Sequence, residues 1–352
     1  MKTLLKWPGG KEKELPVIRK YTPKYSGRFV EPFVGGGAVF FDVNTQHCCI
    51  NDKSDELINL YNCARNRDSD LIKYLQLEID EFSSLGTFVD EHCDDILKLY
   101  YSEMSVAEFL SKYEKFFSKL ADDYNMIFVK ELHRNLTSKI KRSAKLENQN
   151  GEIPESDRID NMESALKSAY YMFERFLLNN SYKLSKGRQA AVFFFVREYC
   201  YSSMFRYNAN GEFNVPYGGI SYNRKDFQKK ADYLLSDEMN LKLQNTDIYC
   251  EDFESFLKNL NLTSDDFIFL DPPYDSDFST YAKNEFGKDE HARLCECLKN
   301  TPAKILLIIK NTDFIYDLYK NDFGITTFDK KYMVSFMNRN DRNAEHLVIT
   351  NY

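Results

Sequence analysis

Arg28-Phe29-Val30-Glu31-Pro32-Phe33-Val34-Gly35-Gly36-Gly37 runs from a short apolar strand into three glycines. Glycines there let the backbone turn sharply and approach a ligand. Ala38-Val39-Phe40-Phe41 behind them reads as the start of a helix. Working outward, Cys48-Cys49-Ile50 leads into Asn51-Asp52, and Asp247-Ile248-Tyr249-Cys250 into Glu251-Asp252-Phe253. Phe267-Ile268-Phe269-Leu270 leads into Asp271-Pro272-Pro273-Tyr274, and Lys304 to Ile309 is continuously apolar. Short, apolar, unalternating runs suit strands buried on both faces of a parallel sheet. All but the last end in an acid or in glycines, at the carboxyl ends where open α/β sheets bind ligands. The expected fold is therefore a doubly wound, mostly parallel α/β sheet. Lys331 to Met337 and His346 to Asn351, flanking the polar 338–343 stretch, predict a terminal hairpin.

The middle of the chain differs. From about Arg67 to Asn180 the apolar period is helical, as in Leu71, Leu75, Ile79, Phe82 and then Phe109, Tyr113, Phe116, Phe117, Leu120. Polar Glu147 to Asp160, with Gly151 and Pro154, predicts an exposed loop, followed by a helix over Ala165 to Leu178. Asn210-Gly211 is a tight-turn signal. A helical insertion thus interrupts an α/β domain, with residues 1–66 and 225–352 forming one domain and 67–224 the other.

A hydrophobic fraction of 43% excludes wholesale disorder. The longest apolar runs, Ala190 to Val196 and Ile305 to Ile309, are too short for a bilayer. The first residues carry no apolar secretory signal, so a cytoplasmic protein is expected. No cysteine pair has CxxC spacing and the histidines do not cluster with them; reduced thiols and no metal are expected. The net charge of −7 is unevenly spread. Acids dominate Asp52 to Asp123. Lys130, Arg134, Lys139, Lys141, Arg142 and Lys145 then stand against Glu131 alone. Such a run is a solvated helix face or a polyanion-binding surface.

Two motifs carry chemistry. Asp52, fifteen residues past Gly37 and at a strand end, can accept both ribose hydroxyls of an adenosine ligand. The stretch Asn51 to Asp55 equally suits a helix N-cap, and the two roles are compatible. The glycine cluster is not the six-residue dinucleotide fingerprint, which disfavours a nicotinamide cofactor. In Asp271-Pro272-Pro273-Tyr274 two prolines fix the backbone and remove two amide donors. The Asp271 carboxylate and Pro272 carbonyl remain as rigid acceptors beside an aromatic ring. Two acceptors pulling on the N–H bonds of an exocyclic amino group turn its lone pair out of the ring plane, and Tyr274 can stack on the base.

These residues resemble the Dam-type DNA adenine-N6 methyltransferases (D12 class, α-group). The match comprises Leu5-Lys6-Trp7-Pro8-Gly9-Gly10-Lys11, Glu31 to Gly37, Asn51-Asp52, Arg206-Tyr207-Asn208 with Gly211 to Pro216, and Asp271 to Tyr274. The order of glycine loop, recognition region and Asp-Pro-Pro-Tyr is that of the α-group. Asp68 to Ala165 has no recognised counterpart. The resemblance implies a Rossmann-like class I methyltransferase fold with an inserted, mostly helical target-recognition domain. It implies S-adenosyl-L-methionine as cofactor, held by Trp7, Lys11, Phe33, Gly35, Gly37, Asp52, Asp252, Phe253 and Asp271. It implies Asp271, Pro272, Pro273 and Tyr274 as the catalytic motif around a flipped adenine in duplex DNA. Lys11, Tyr201, Arg206, Asn210 and Pro216 would touch DNA, with a GATC-like target. Ser202-Ser203-Met204 departs from the Asn/Arg-Gly-Leu of many relatives, which bears on the target sequence. A restriction endonuclease of the same system is a partner the resemblance allows and does not physically require. Methylation of cytosine N4 or of RNA, or a non-catalytic DNA-binding subunit, are the alternatives.

Overall fold

The computed structural model describes residues 1–121, 125–274, 286–331 and 343–352. One sheet holds β1 (Phe29–Glu31), β2 (Cys48–Asn51), β3 (Thr246–Tyr249), β4 (Phe267–Leu270), β5 (Lys304–Lys310), β6 (Gly324–Lys331) and β7 (Asn343–Thr350). Their order is β3-β2-β1-β4-β5-β7-β6. The pairings from β3 across to β5 are parallel, and β7 runs antiparallel to both its neighbours. The helices are α1 (Leu15–Tyr21), α2 (Asp55–Arg65), α3 (Ser69–Glu91), α4 (Cys93–Tyr100), α5 (Val106–Lys112), α6 (Glu114–Phe117) and α7 (Asn125–Asn150). They continue with α8 (Glu155–Asn179), α9 (Lys186–Tyr199), α10 (Gln228–Leu234), α11 (Asp237–Gln244), α12 (Phe253–Asn259), α13 (Lys288–Lys299) and α14 (Asp313–Tyr319). The result is a mixed α/β chain with a mostly parallel seven-stranded sheet.

The chain divides into two compact units, 1–66 with 236–352, and 67–235. The second boundary falls eleven residues later than the sequence suggests. Phe227, just before α10, packs its ring on Phe194, Phe195 and Tyr199 and so keeps α10 with the helical unit.

In the sheet unit, Val30, Cys49, Ile268, Leu270, Ile305, Leu307 and Ile349 share a core with Phe253 and Phe256 of α12, Leu294 and Leu298 of α13, and Tyr319 of α14. Central strands β1, β2 and β4 are buried along their whole length, as unalternating runs require. The edges break that pattern. In β3 only Thr246 is fully buried and Asp247 is exposed. Strand β6 starts at Gly324, seven residues before the expected Lys331, and residues 332–342 lie outside the described ones. A search for apolar runs finds strands covered on both faces and misses a half-exposed edge such as Ile325-Thr326-Thr327.

Two further expectations are corrected. Ala38 to Phe41 forms turns, closed by Phe41 N–H to Gly37 O at 2.9 Å and Val43 N–H to Val39 O at 3.0 Å. Val39, Phe40 and Phe41 are all buried, and three consecutive buried residues leave no polar face for a surface helix. The expected loop at Glu147 to Asp160 shrinks to 151–154. Helix α7 runs on to Asn150, and α8 begins with Glu155 and Asp157 in its first turn, where acids favour the helix dipole. Most of those polar residues are exposed helix ends, but Arg158 is buried and pairs with Glu147 at 2.9 Å.

The helical unit buries charge as well as apolar surface. Leu71, Leu75 and Phe82 of α3 are buried, but Glu78 takes the interior place expected of Ile79. Burial and the nearby Glu174 charge hold the Glu78 carboxyl well above its usual range. Among the described residues no helix is long and apolar enough to cross a membrane.

Candidate active site

From β1 the chain passes outward to β2 and β3; from β4 it passes the other way to β5. The carboxyl ends of β1 and β4 therefore flank the topological switch point, the ligand crevice of open α/β sheets. Phe29 pairs with Phe267 and Val30 with Ile268. That register brings the Gly35 to Gly37 loop and Asp271 to Tyr274 out at the same end.

The glycine loop is built by backbone hydrogen bonds. Val34 N–H donates to Asn51 O at 3.0 Å. Asp52 Oδ2 accepts from Gly35 N–H and Oδ1 from Ser54 N–H, each at 2.9 Å. Buried Asn51 ties three strand ends together: Nδ2 donates to Pro32 O and Glu251 O at 3.1 Å, and Oδ1 accepts from Glu251 N–H at 2.8 Å. Tyr61 Oη donates to Gly35 O at 2.9 Å. Gly35 has φ +48°, and a Cβ there would lie 2.7 Å from Trp7 Cδ1. A Cβ on Gly36 would lie 2.6 Å from Leu5 O. The half-buried Trp7 ring thus rests directly on the loop, which only glycine permits. The cap of α2 is Ser54, whose Oγ accepts from Leu57 N–H at 3.3 Å. Asp52 is not that cap; its carboxylate braces the turn before it. Burial pushes the Asp52 carboxyl up, and the N–H bonds from Ser54 and Gly35 oppose that.

Lys11 is 2% exposed. Its Nζ ion-pairs with Asp271 Oδ1, donates to Gly9 O at 3.1 Å and to Tyr274 Oη at 3.3 Å, and lies 5.4 Å from the Tyr274 ring centre. Pro272 is buried and Pro273 exposed. On the other side of Tyr274 Oη stands His346 Nε2 at 3.3 Å, from a fully buried ring on β7. Sequence reasoning missed His346, because a histidine inside an apolar strand has no local signal. It named Glu31, at the end of β1, within a motif but gave it no role. That carboxyl is buried, its Oε2 has no hydrogen-bond partner among the described residues, and burial and the charge of Asp271 push it well above the usual range.

Phe33, Phe253 and Phe286 pack edge and face within 5.7 Å of one another. Asp252 caps α12 through Glu254 N–H at 3.0 Å and takes a bidentate pair from Arg293, both bonds 2.8 Å, with Lys53 at 3.3 Å. The same guanidinium sits 4.4 Å from the Phe253 ring centre. Arg293 carried no sequence motif. Burial alone raises the Asp252 carboxyl, but Arg293, the Glu254 N–H and Lys53 outweigh it and bring it down to about 2.

In the helical unit Tyr201, Arg206, Asn210 and Pro216 lie on one looped segment. Tyr201 N–H donates to Pro216 O at 2.8 Å, and Tyr207 pairs with Phe213 across the turn. Gly211 has φ +75°, and Asn210 N–H donates to Asn208 Oδ1 at 3.0 Å. Exposed Arg206 donates through Nε to Asn214 Oδ1 at 2.8 Å and through Nη2 to Asn214 O at 3.1 Å. Helix α8 holds the returning strand: Asn179 exchanges hydrogen bonds with the Phe213 backbone at 2.8 and 3.1 Å, and Tyr171 Oη donates to Val215 O at 2.9 Å. Tyr199 is core; Tyr201 is 51% exposed.

The thiols are free, five of the eight buried and Cys250 exposed. Contrary to the reading that no histidine approaches a cysteine, donor atoms of His47, Cys49 and Asp247 lie within 4.8 Å of one another. The strand pairing of Cys49 with Asp247 produces this, and the His47–Asp247 contact at 2.8 Å accounts for it without an ion.

The family model for D12 class N6 adenine-specific DNA methyltransferase matches residues 7–160 and 143–334. Type II methyltransferase M.CviBI of Paramecium bursaria Chlorella virus NC1A is 30% identical over 358 residues, covering 100% of both chains. Type II methyltransferase M.MjaIII of Methanocaldococcus jannaschii is 28% identical, covering 100% of this chain and 99% of its own. The DNA adenine methylase of Escherichia coli K12 is 24% identical over 89% of this chain and 81% of its own.

The Asp252 ion pairs have a pH signature. A carboxyl lowered from 3.8 to about 2 contributes stability that is present above its ordinary value and lost as pH falls through about 2. Asp252→Asn is expected to flatten the acid limb of the stability curve between about pH 4 and pH 2. Urea denaturation across that range checks it; parallel curves for the two proteins would remove the coupling.

Proposed function

We propose a course for the reaction from the premise that this chain belongs to the D12 class N6 adenine-specific DNA methyltransferases. The enzyme methylates adenine N6 at specific DNA sites. Beyond that, we assign S-adenosylmethionine as the methyl donor, which supplies an electrophilic methyl group on a sulfonium. The chemistry of the crevice suits it. Asp52 is half-buried with one N–H on each oxygen, which leaves acceptor capacity for two ribose hydroxyls. We assign Trp7, which rests on Gly35, with Phe33 and Gly37, to the apolar, backbone-lined wall of the donor site. We assign Asp252 and Phe253 to the adenine end, where the Arg293 pairing makes a rigid edge.

The observation that carries the reading is the Lys11–Asp271–Tyr274 cluster at the switch point. We assign the Asp271 carboxylate and the Pro272 carbonyl to the two N–H bonds of the target amino group. The ring of Tyr274, fixed at its hydroxyl by Lys11 and His346, would stack on the base. Pro273 stiffens the loop between them. To reach this pocket the adenine must leave the duplex stack, so base flipping is part of the proposal. Positioning and polarisation then carry the rate. We further assign the helical unit to target recognition, with Tyr201, Asn210 and Pro216 along the DNA, Lys11 reaching both ligands and a GATC-like site. The cytoplasm, where duplex DNA and reduced thiols coexist, is the matching compartment.

Asp271→Ala is expected to lower turnover by about 10²–10³-fold while the protein stays folded by circular dichroism. Asp271→Asn, which retains one acceptor oxygen, should fall between. Near-normal turnover by folded Asp271→Ala would overturn the catalytic assignment. Asp52→Ala should weaken S-adenosylmethionine binding by roughly 1.5–3 kcal/mol for each ribose hydrogen bond lost. Unchanged affinity in calorimetry would leave Asp52 only its turn-bracing role. Arg206→Ala should lose roughly 1–3 kcal/mol of discrimination at one base pair, as an arginine reading guanine would. Methylation rates on singly substituted duplexes test this; uniform loss with the site ranking intact would make Arg206 a phosphate contact.

A further inference from the structure

Helix α7 separates its residues by chemistry around its axis. At about 100° per residue, Lys130, Arg134, Lys141 and Lys145 fall within an arc of about 60°. Phe128, Leu132, Leu136 and Ser143 are buried on the opposite side, where the Phe128 ring meets Tyr170 and Phe173 of α8. All four cations on the arc are exposed, and Arg142 is exposed beside them. The span from Lys130 to Lys145 is about 22 Å.

Elsewhere several exposed cations on or just past helices carry an acid one turn away: Lys258 with Glu254, Lys320 with Asp317, Lys98 with Asp95 and Lys299 with Glu296. That is the pattern of a solvated helix surface. The α7 arc departs from it. Arg134 meets Glu131 at 3.2 Å, and among the described residues no carboxylate pairs with Lys130, Lys141 or Lys145. Keeping like charges in one line costs repulsion, even on a chain whose net charge is −7. A linear polyanion removes that cost.

We infer that the exposed basic face of α7, Lys130, Arg134, Lys141 and Lys145, is a phosphate-contacting surface for duplex DNA, separate from the base-reading segment. It rests on the proposed DNA-recognition role of the helical unit. Along about 22 Å of duplex axis one strand presents about six phosphates, so four cations can be matched in a line. Such contacts fix the enzyme on its substrate without reading sequence. The basic residues occupy 130–145, inside the 7–160 span that the family model matches, and the inference gives that part of the helical unit a task.

The test is the variant K130Q/R134Q/K141Q/K145Q in the full-length protein. Binding to a duplex of some 40 base pairs is measured from low to physiological salt, and methylation kinetics alongside. If each side chain meets one phosphate, the slope of log affinity against log salt becomes shallower by about 3–4. KM for DNA rises tenfold or more, while kcat and the ranking of singly substituted sites stay as in the unaltered enzyme. A charge-reversed K130E/K141E/K145E variant should bind still more weakly. Unchanged slope and KM in a folded variant would overturn the inference and leave α7 a solvated face or a protein-binding one. Absence of methylation or DNA binding by the unaltered enzyme would instead defeat the functional reading beneath it.

Discussion

A lysine buried to 2% exposure must have its charge met, and Lys11 meets it at Asp271. That one requirement joins the start of the chain to the end of β4. The segment before α1 has no regular structure to hold it. It is held by Leu4 and Leu5 in the core, by Trp7 on the glycine loop, and by Lys11 at the Asp-Pro-Pro-Tyr turn. The glycines, the tryptophan and the lysine are thus one construction. Any side chain on Gly35 or Gly36 displaces Trp7 or the Leu5 carbonyl, and with them the path that delivers Lys11. Breaking the pair from either side leaves a buried charge uncompensated, which is why the catalytic test needs a fold control and a conservative variant.

What the sequence discloses follows from where its information is local. The central strands are legible because burial on both faces forces unbroken apolar runs, and the Asp271 to Tyr274 turn because two prolines leave few conformations. The half-exposed edge is harder: β3 is still found through Asp247 to Cys250, but Thr326 of β6 reads as loop. The turn at Ala38 to Phe41 looked helical because helix propensity does not register that every one of its large side chains is needed inside. Ser54 rather than Asp52 caps α2, a choice set by the Gly35 N–H arriving from another strand. Arg293, His346 and Glu31 act on Asp252, Tyr274 and Asp271, groups 41, 72 and 240 residues away in sequence, through contacts only the folded sheet creates.

Around Tyr274 the hydrogen-bond roles are constrained. Lys11 is donor only, so the phenol oxygen accepts from it. The phenol oxygen keeps its proton and a second lone pair, and either can serve the contact with His346 Nε2, according to the imidazole tautomer. The ring is pinned at its polar tip by Lys11 and His346. An aromatic ring fixed in this way loses little freedom when a base stacks on it, and that is how positioning, rather than acid–base chemistry, can serve this reaction.

The segment that carries Arg206 shows strain placed with purpose. Ser202 and Ser203 both have positive φ, 52° and 53°, a region that favours glycine or asparagine. A glycine in place of Ser203 would enter it more cheaply. Here buried Arg197 offsets the cost: its guanidinium donates to Ser203 O at 3.0 Å and Met204 O at 2.7 Å, and stacks 3.8 Å from the Phe205 ring centre. A turn held by a buried cation is stiff. The recognition role proposed for Arg206, one residue past Phe205, needs that stiffness, since an arginine reads a guanine edge only in a fixed bidentate geometry. The serine turn therefore changes how the reading arm is supported, and the arginine itself can be kept while the support is exchanged.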